Sequence, residues 1–124
     1  MAGTAGIQTP VCVYFTQVGA GAANNDYTLT RGATLLQAWS IARATQVGGT
    51  LQIFRQALGA GGFTAVTDAM NAAADQLAQG CGTIDDAQYT FAATDVIRFT
   101  TVGAATLVDA VAFFVPPVAD STTV

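Results

Sequence analysis

Apolar and polar residues alternate along much of this chain, and glycine, asparagine or aspartate interrupts the alternation at short intervals. Val11-Cys-Val-Tyr-Phe15 is a compact apolar run of strand length, followed by the Gly- and Asn-rich stretch from Val18 to Asn25. Tyr27 and Leu29 alternate with Thr28 and Thr30 up to Gly32. Across 34–44, strict alternation puts Leu35, Trp39 and Ile41 on one face with Gln37 and Arg43, and Ala38, Ser40 and Ala42 on the other. This places Trp39 in the core. After the Gly48-Gly49 turn, Leu51 and Ile53 alternate with Gln52, Phe54 and Gln56 until Gly59-Ala-Gly-Gly62. Beyond the Asp85-Asp86 turn, Tyr89 and Phe91 share a face, and Ile97 and Phe99 alternate with Arg98 and Thr100. Gly103-Ala-Ala105 then leads into Leu107–Val115, apolar on both faces except for Asp109, and Pro116-Pro117 stops the run.

The middle admits two readings. Val66, Met70, Ala73 and Leu77 recur at helical spacing, with Thr67 as a possible N-cap and Gly80 as a possible stop, giving a short helix around 67–79. The same residues also read as two strands, Phe63–Met70 and Leu77–Ile84, around a loop at 71–75. The β character of the flanking segments favours the strands. The chain is therefore expected to be all-β: a single antiparallel β-sandwich, jelly-roll-like, of about eight short strands. The domain spans 11–117, with a flexible N-terminal arm at 1–10 and a C-terminal tail at 118–124. A sandwich strand normally buries one face. The terminal strands 11–15 and 107–115 are apolar on both, so the surplus face calls for a cover such as another subunit.

Composition strengthens that expectation. Apolar residues make up 52% of the chain and charged ones 10%, against roughly 25% charged in ordinary domains. Every basic residue is Arg and every acidic one Asp, with no Lys, Glu or His. Lys and Glu fill solvated helix faces, whereas Thr and Val suit strands. The net charge of −4 and four scattered Arg make no basic patch, so no nucleic-acid partner is expected. The start of the chain lacks the pattern of a secretory signal and no run is long enough to span a bilayer. These features predict synthesis in the cytoplasm and no membrane partner.

Candidate chemistry is sparse. Without His there is no His-based triad and no imidazole metal ligand, and without Lys there is no Walker A loop or Schiff base. Asp85 and Asp86 read as a solvated turn, with a weak Ca²⁺ site as the sharper alternative. Cys12 and Cys81 lack metal-ligand spacing and read as small buried residues, with a disulfide open to them only if their strands adjoin. The Arg residues are expected to pair with Asp across strands or subunits, with Arg55 and Arg98 placed to bridge an interface. No enzyme, cofactor or metal is expected.

Tyr89-Thr-Phe-Ala-Ala-Thr-Asp-Val-Ile-Arg-Phe-Thr-Thr-Val-Gly-Ala-Ala105, with the apolar strand that follows, resembles the small β-sandwich proteins of tailed-bacteriophage virions, the head decoration (cement) type. Those carry an ala-ala-gly-asp turn before an alternating strand. Here Ala92, Ala93, Thr94 and Asp95 take its place, and Thr94 in the glycine position predicts a turn that avoids φ > 0. The resemblance implies a non-enzymatic structural protein on the capsid exterior, a homo-oligomer (dimer or trimer) that binds the major capsid protein. Oligomer and capsid contacts then fall to Val11, Val13 and Phe15 with Phe113, Phe114 and Val115. The alternative is a head- or tail-fibre, receptor-binding β-sandwich domain.

Overall fold

Thr, Val, Ile and aromatic residues, favoured on a pleated surface, form ten strands among the described residues of the computed structural model: β1 Val11–Phe15, β2 Ala23–Thr28, β3 Ala33–Ala42, β4 Thr50–Gln56, β5 Thr64–Ala65, β6 Met70–Asn71, β7 Ala78–Gly80, β8 Thr90–Phe91, β9 Val96–Val102 and β10 Val108–Val115. The structure describes residues 11–15, 23–43, 49–57, 61–71, 78–102 and 108–115. The expected arm at 1–10 and tail at 118–124 lie outside these.

Two five-stranded antiparallel sheets result. One runs β1-β10-β3-β7 with β8 also on β3, the other β2-β9-β4-β5 with β6 also on β4. The first half of the chain thus lies antiparallel to the second half, β1 on β10 and β2 on β9, while β3 and β4 take the shorter strands between. A ribbon of such pairs, rolled so that alternate pairs fall in opposite sheets, is a jelly roll. The core between the sheets comprises Leu35, Ala38, Ala110, Ala112 and Phe114 from the first sheet, and Leu51, Ile53, Ile97 and Phe99 from the second, with Val66, Met70 and Phe91 closing it. Phe91 meets Phe114 edge-to-face, centroids 5.5 Å apart.

Three local expectations are corrected. The favoured strands of the middle hold over the helical alternative, but they are shorter than Phe63–Met70 and Leu77–Ile84: 64–65 and 70–71 pair with β4, and 78–80 with β3. Residues 72–77 lie outside the described set. Thr67, expected to cap a helix, fills a gap in the ladder instead: its hydroxyl accepts the Ile53 N–H at 3.2 Å and donates to the Asp68 carbonyl at 2.9 Å. Backbone groups bonded to β4 are not available for i→i−4 bonds, so the helical spacing loses to the sheet.

The second correction is a β-bulge. Phe113 pairs with Gln37 and Phe114 with Leu35, leaving Leu36 as the extra residue on β3. The phase of alternation changes there. Leu35 joins Ala38, Ser40 and Ala42 inside, and Trp39 and Ile41 move to the outer face, half-buried. Trp39 is not in the core.

The third is Thr94, whose φ is +74°. The surrounding bonds impose it. Thr94 N–H donates to the Leu29 carbonyl at 2.7 Å, Leu29 N–H to the Asp95 carbonyl at 2.9 Å, and Asp95 N–H to the Ala92 carbonyl at 3.1 Å. The left-handed region costs an L-residue roughly 1–2 kcal/mol, and a β-branched one is a marked outlier there. Thr94→Gly is therefore expected to raise stability by about 1 kcal/mol, net of glycine's greater unfolded entropy. Thermal unfolding checks this: the midpoint should rise by a few degrees, and an unchanged or lower midpoint means the turn is not strained.

Candidate docking surface

The two sheets expose faces of opposite character. On the second sheet, outward positions of β2, β9 and β4 line up as Asn24–Thr100–Gln52 and Asp26–Arg98–Phe54. They are tied together by polar contacts. Arg98 grips Asp26 through Nε and Nη2 at 2.7 and 2.9 Å, and Thr100 donates to Asn24 Oδ1 at 2.9 Å. The Arg98 guanidinium also lies 3.6 Å from the Phe63 ring centroid, a cation–π stack. The Arg98 hydrogen bond holds the Asp26 carboxyl below its ordinary pKa, with burial opposing and the Arg98 charge assisting. The face is polar and solvated around Arg98 and Thr100, with Val102 at the end of β9 53% exposed.

The first sheet presents the reverse. Between the inward Ala110, Ala112 and Phe114, β10 turns Val111, Phe113 and Val115 outward, all half-buried. β3 contributes Trp39 and Ile41, with Trp39 paired directly to Val111. Leu36, projected by the bulge, is 49% exposed. Gly80 on β7 stands opposite Trp39, and a side chain there would begin 3.6 Å from the indole. Asp109 is the one charge on β10, and Arg43 neutralises it through Nε at 2.9 and 3.0 Å to its two carboxylate oxygens. The carboxylate is buried under its partner, which leaves the middle of this face apolar.

The residues expected to form contacts divide along the pleat. Phe113 and Val115 lie on the outer face. Phe114 does not: it is 1% exposed and packs on Phe91 inside the sandwich. Val11, Val13 and Phe15 are the register partners of Phe114, Ala112 and Ala110, the inward positions of β10, whereas Cys12 and Tyr14 stand opposite Phe113 and Val111. Trp39, Ile41 and Val111 were missed as members of this face. The signal that could have found Trp39 and Ile41 is the excess of apolar residues in 35–41, which strict alternation assigns to the wrong side.

Four further charged residues, Arg55, Asp95, Asp85 and Asp68, are engaged within the chain. Arg55, expected at an interface, faces inward. It pairs with Asp95 Oδ2 at 2.9 Å, donates to Gln88 Oε1 at 2.9 Å and lies 5.9 Å from the Phe91 ring centroid. Asp95 Oδ2 also accepts the Ala92 N–H at 2.9 Å. Asp85 Oδ1 accepts the Ala87 N–H at 2.8 Å, and Asp68 accepts Gly82 and Thr83 N–H groups, so the shallow depression between 65–68 and 83–85 is rimmed by engaged carboxylates. No group of three His, Cys, Asp or Glu that could hold a metal occurs among the described residues. Cys81, expected to be buried, is half-buried and is a free thiol among the described residues. No family model, curated protein or solved structure matches this chain.

Proposed function

We propose that the chain is a non-enzymatic structural protein of a bacteriophage virion, a decoration or cement protein that binds the capsid exterior as a small homo-oligomer. The observation that carries this reading is the contrast between faces: one sheet solvated by an ion pair and hydrogen bonds, the other apolar around Trp39, Val111 and Phe113. Large apolar patches on a sheet face mark surfaces that another molecule covers. The jelly roll adds support by analogy, since the architecture recurs in viral capsid and lectin domains. The apolar face would meet neighbouring copies and major capsid subunits, and the polar face would meet water.

Co-sedimentation with empty capsids, together with light scattering of the free protein, tests this. Phe113→Ser should weaken capsid binding or self-association tenfold or more, as expected for an anchor worth over ~1.4 kcal/mol. Arg98→Gln on the opposite face should leave binding intact. Thermal melts confirm that both variants are folded. A monomer that ignores capsids overturns the reading. If Arg98→Gln alone abolished attachment to host cells, the fibre or receptor-binding alternative would replace it.

A further inference from the structure

Within the apolar face of the first sheet, two hydrogen-bond donors stand close together. Gln37 and Trp39 follow the bulge on β3 and share its outer phase, with Gly80 of β7 directly opposite Trp39. A Cβ built on Gly80 would stand 3.6 Å from Gln37 Nε2 and 3.6 Å from Trp39 Nε1. Both nitrogens therefore border the same bare, exposed glycine. Neither has a hydrogen-bond partner among the described residues. The amide has a fixed sense: Gln37 Oε1 accepts the Ala38 N–H at 2.9 Å and the Cys81 thiol at 2.7 Å, which leaves Nε2 as the free end.

Whatever covers Trp39, Val111 and Phe113 also covers these donors. An apolar cover would strip them of water and leave both bonds unmade, which costs more than a made bond returns. The cover must therefore bring acceptors, and the site narrows their kind. Its side chains offer donors only, because Gln37 Oε1 is engaged and Arg43 holds the Asp109 carboxylate. With that pair neutralised, no cation awaits a carboxylate or phosphate. Sugar hydroxyls donate as well as accept and would find no acceptor here. A main-chain carbonyl only accepts, carries no net charge, and can approach closely where glycine leaves the backbone bare. A second copy packed across a twofold axis at this point fits poorly. Such a contact sets a patch against itself, donors against donors.

We infer that Gln37 Nε2, Trp39 Nε1 and the bare backbone of Gly80 form a seat for a main-chain carbonyl of a different protein, with an apolar residue beside that carbonyl packed on Trp39 and Val111. In the capsid reading, on which this inference rests, that protein is the major capsid subunit. The seat gives the docking a direction. Apolar burial alone is non-directional, whereas a carbonyl held by two side-chain donors sets the register of the partner's chain on the sheet.

Titration of the full chain with empty capsids, read by co-sedimentation, tests the seat with variants that leave the apolar contact in place. Trp39→Phe keeps an aromatic ring and deletes the N–H, and should weaken binding roughly 3- to 10-fold, the worth of one hydrogen bond. Gly80→Ala adds a methyl in ordinary contact with Gln37 and Trp39, so it should melt with wild type. The methyl occupies the carbonyl's place, and binding should weaken roughly tenfold or more. If Gly80→Ala melts early, Trp39→Phe decides. Full affinity in the folded variants, with Phe113→Ser still impaired, overturns the seat and leaves the capsid reading standing. Wild type that ignores capsids overturns both. Self-association lost in Gly80→Ala would make a second copy the occupant. Attachment to host cells lost in either variant, with capsid binding intact, would make it a glycan. Either of these results overturns the assignment.

Discussion

Asp95→Ala is expected to cost about 3–4 kcal/mol of folding stability, visible as a lowered urea midpoint at unchanged slope. Asp95 is 1% exposed and its carboxylate does two jobs. One oxygen, Oδ2, accepts both Arg55 Nε and the Ala92 N–H, each at 2.9 Å. Removing the carboxylate leaves a largely covered guanidinium without its counter-charge and unties the turn that holds Thr94 at positive φ. Breaking a buried pair by deleting one partner costs roughly 3–5 kcal/mol. The lower part of that range applies because the Arg55 side chain keeps 20% exposure and Gln88 still accepts from it. Domains of this kind have only about 5–15 kcal/mol in total, so the variant should be near the edge of folding. Arg55→Met in the same background should recover much of the loss, since an apolar side chain at that position leaves no charge unpaired. A loss under ~1 kcal/mol, or no recovery in the double variant, would mean the pair contributes little.

Phe114→Ala should be as damaging, about 3–5 kcal/mol, as for large-to-small changes in a packed core. Phe114 is fully inside the sandwich, edge-on to Phe91 and paired across the sheet with Leu35, with Ala112 two positions along its own strand. Leu35 and Phe91 are themselves fully buried and held in the packed core, so the space is refilled only in part and a cavity remains. Phe113→Ala, one position along the same strand, should cost far less, because Phe113 is half-buried on the outer face. Chemical denaturation of the two variants side by side reads out the assignment of faces directly. Equal losses would mean that the outer face is as tightly packed within the chain as the inner one.

The contrast between these adjacent phenylalanines shows what the sequence left open. Leu107–Val115 is apolar at every position but one, and a pattern that is apolar on both faces does not say which face is the core. The structure decides it through partners: inward residues of β10 meet Leu51, Ile53, Ile97 and Phe99 from the other sheet. The candidate surface was legible only as a surplus of apolar faces on the terminal strands. The structure puts Phe113 and Val115 outside and Phe114 inside, and brings Trp39 to the outer face from a strand that was expected to bury it.

What the sequence determined by itself is the local part. Alternation with a period of two, abundant Thr and Val, and turn residues at Gly32, Gly48-Gly49, Asp85-Asp86 and 92–95 specify strands and their ends, because pleat and turn geometry act over a few residues. A sandwich follows from the number of such strands. What only the tertiary structure decided depends on contacts between distant segments. A one-residue bulge at Leu36, set by pairing with β10, reverses the phase of half of β3. Bonds to Leu29 hold Thr94 where its side chain disfavours it, and β4 claims the backbone groups of 64–71 that a helix would have used. The meeting of Cys81 with Gln37, 44 residues apart, is of the same kind. Register and phase are energies of pairing between strands, and no short stretch of sequence contains them.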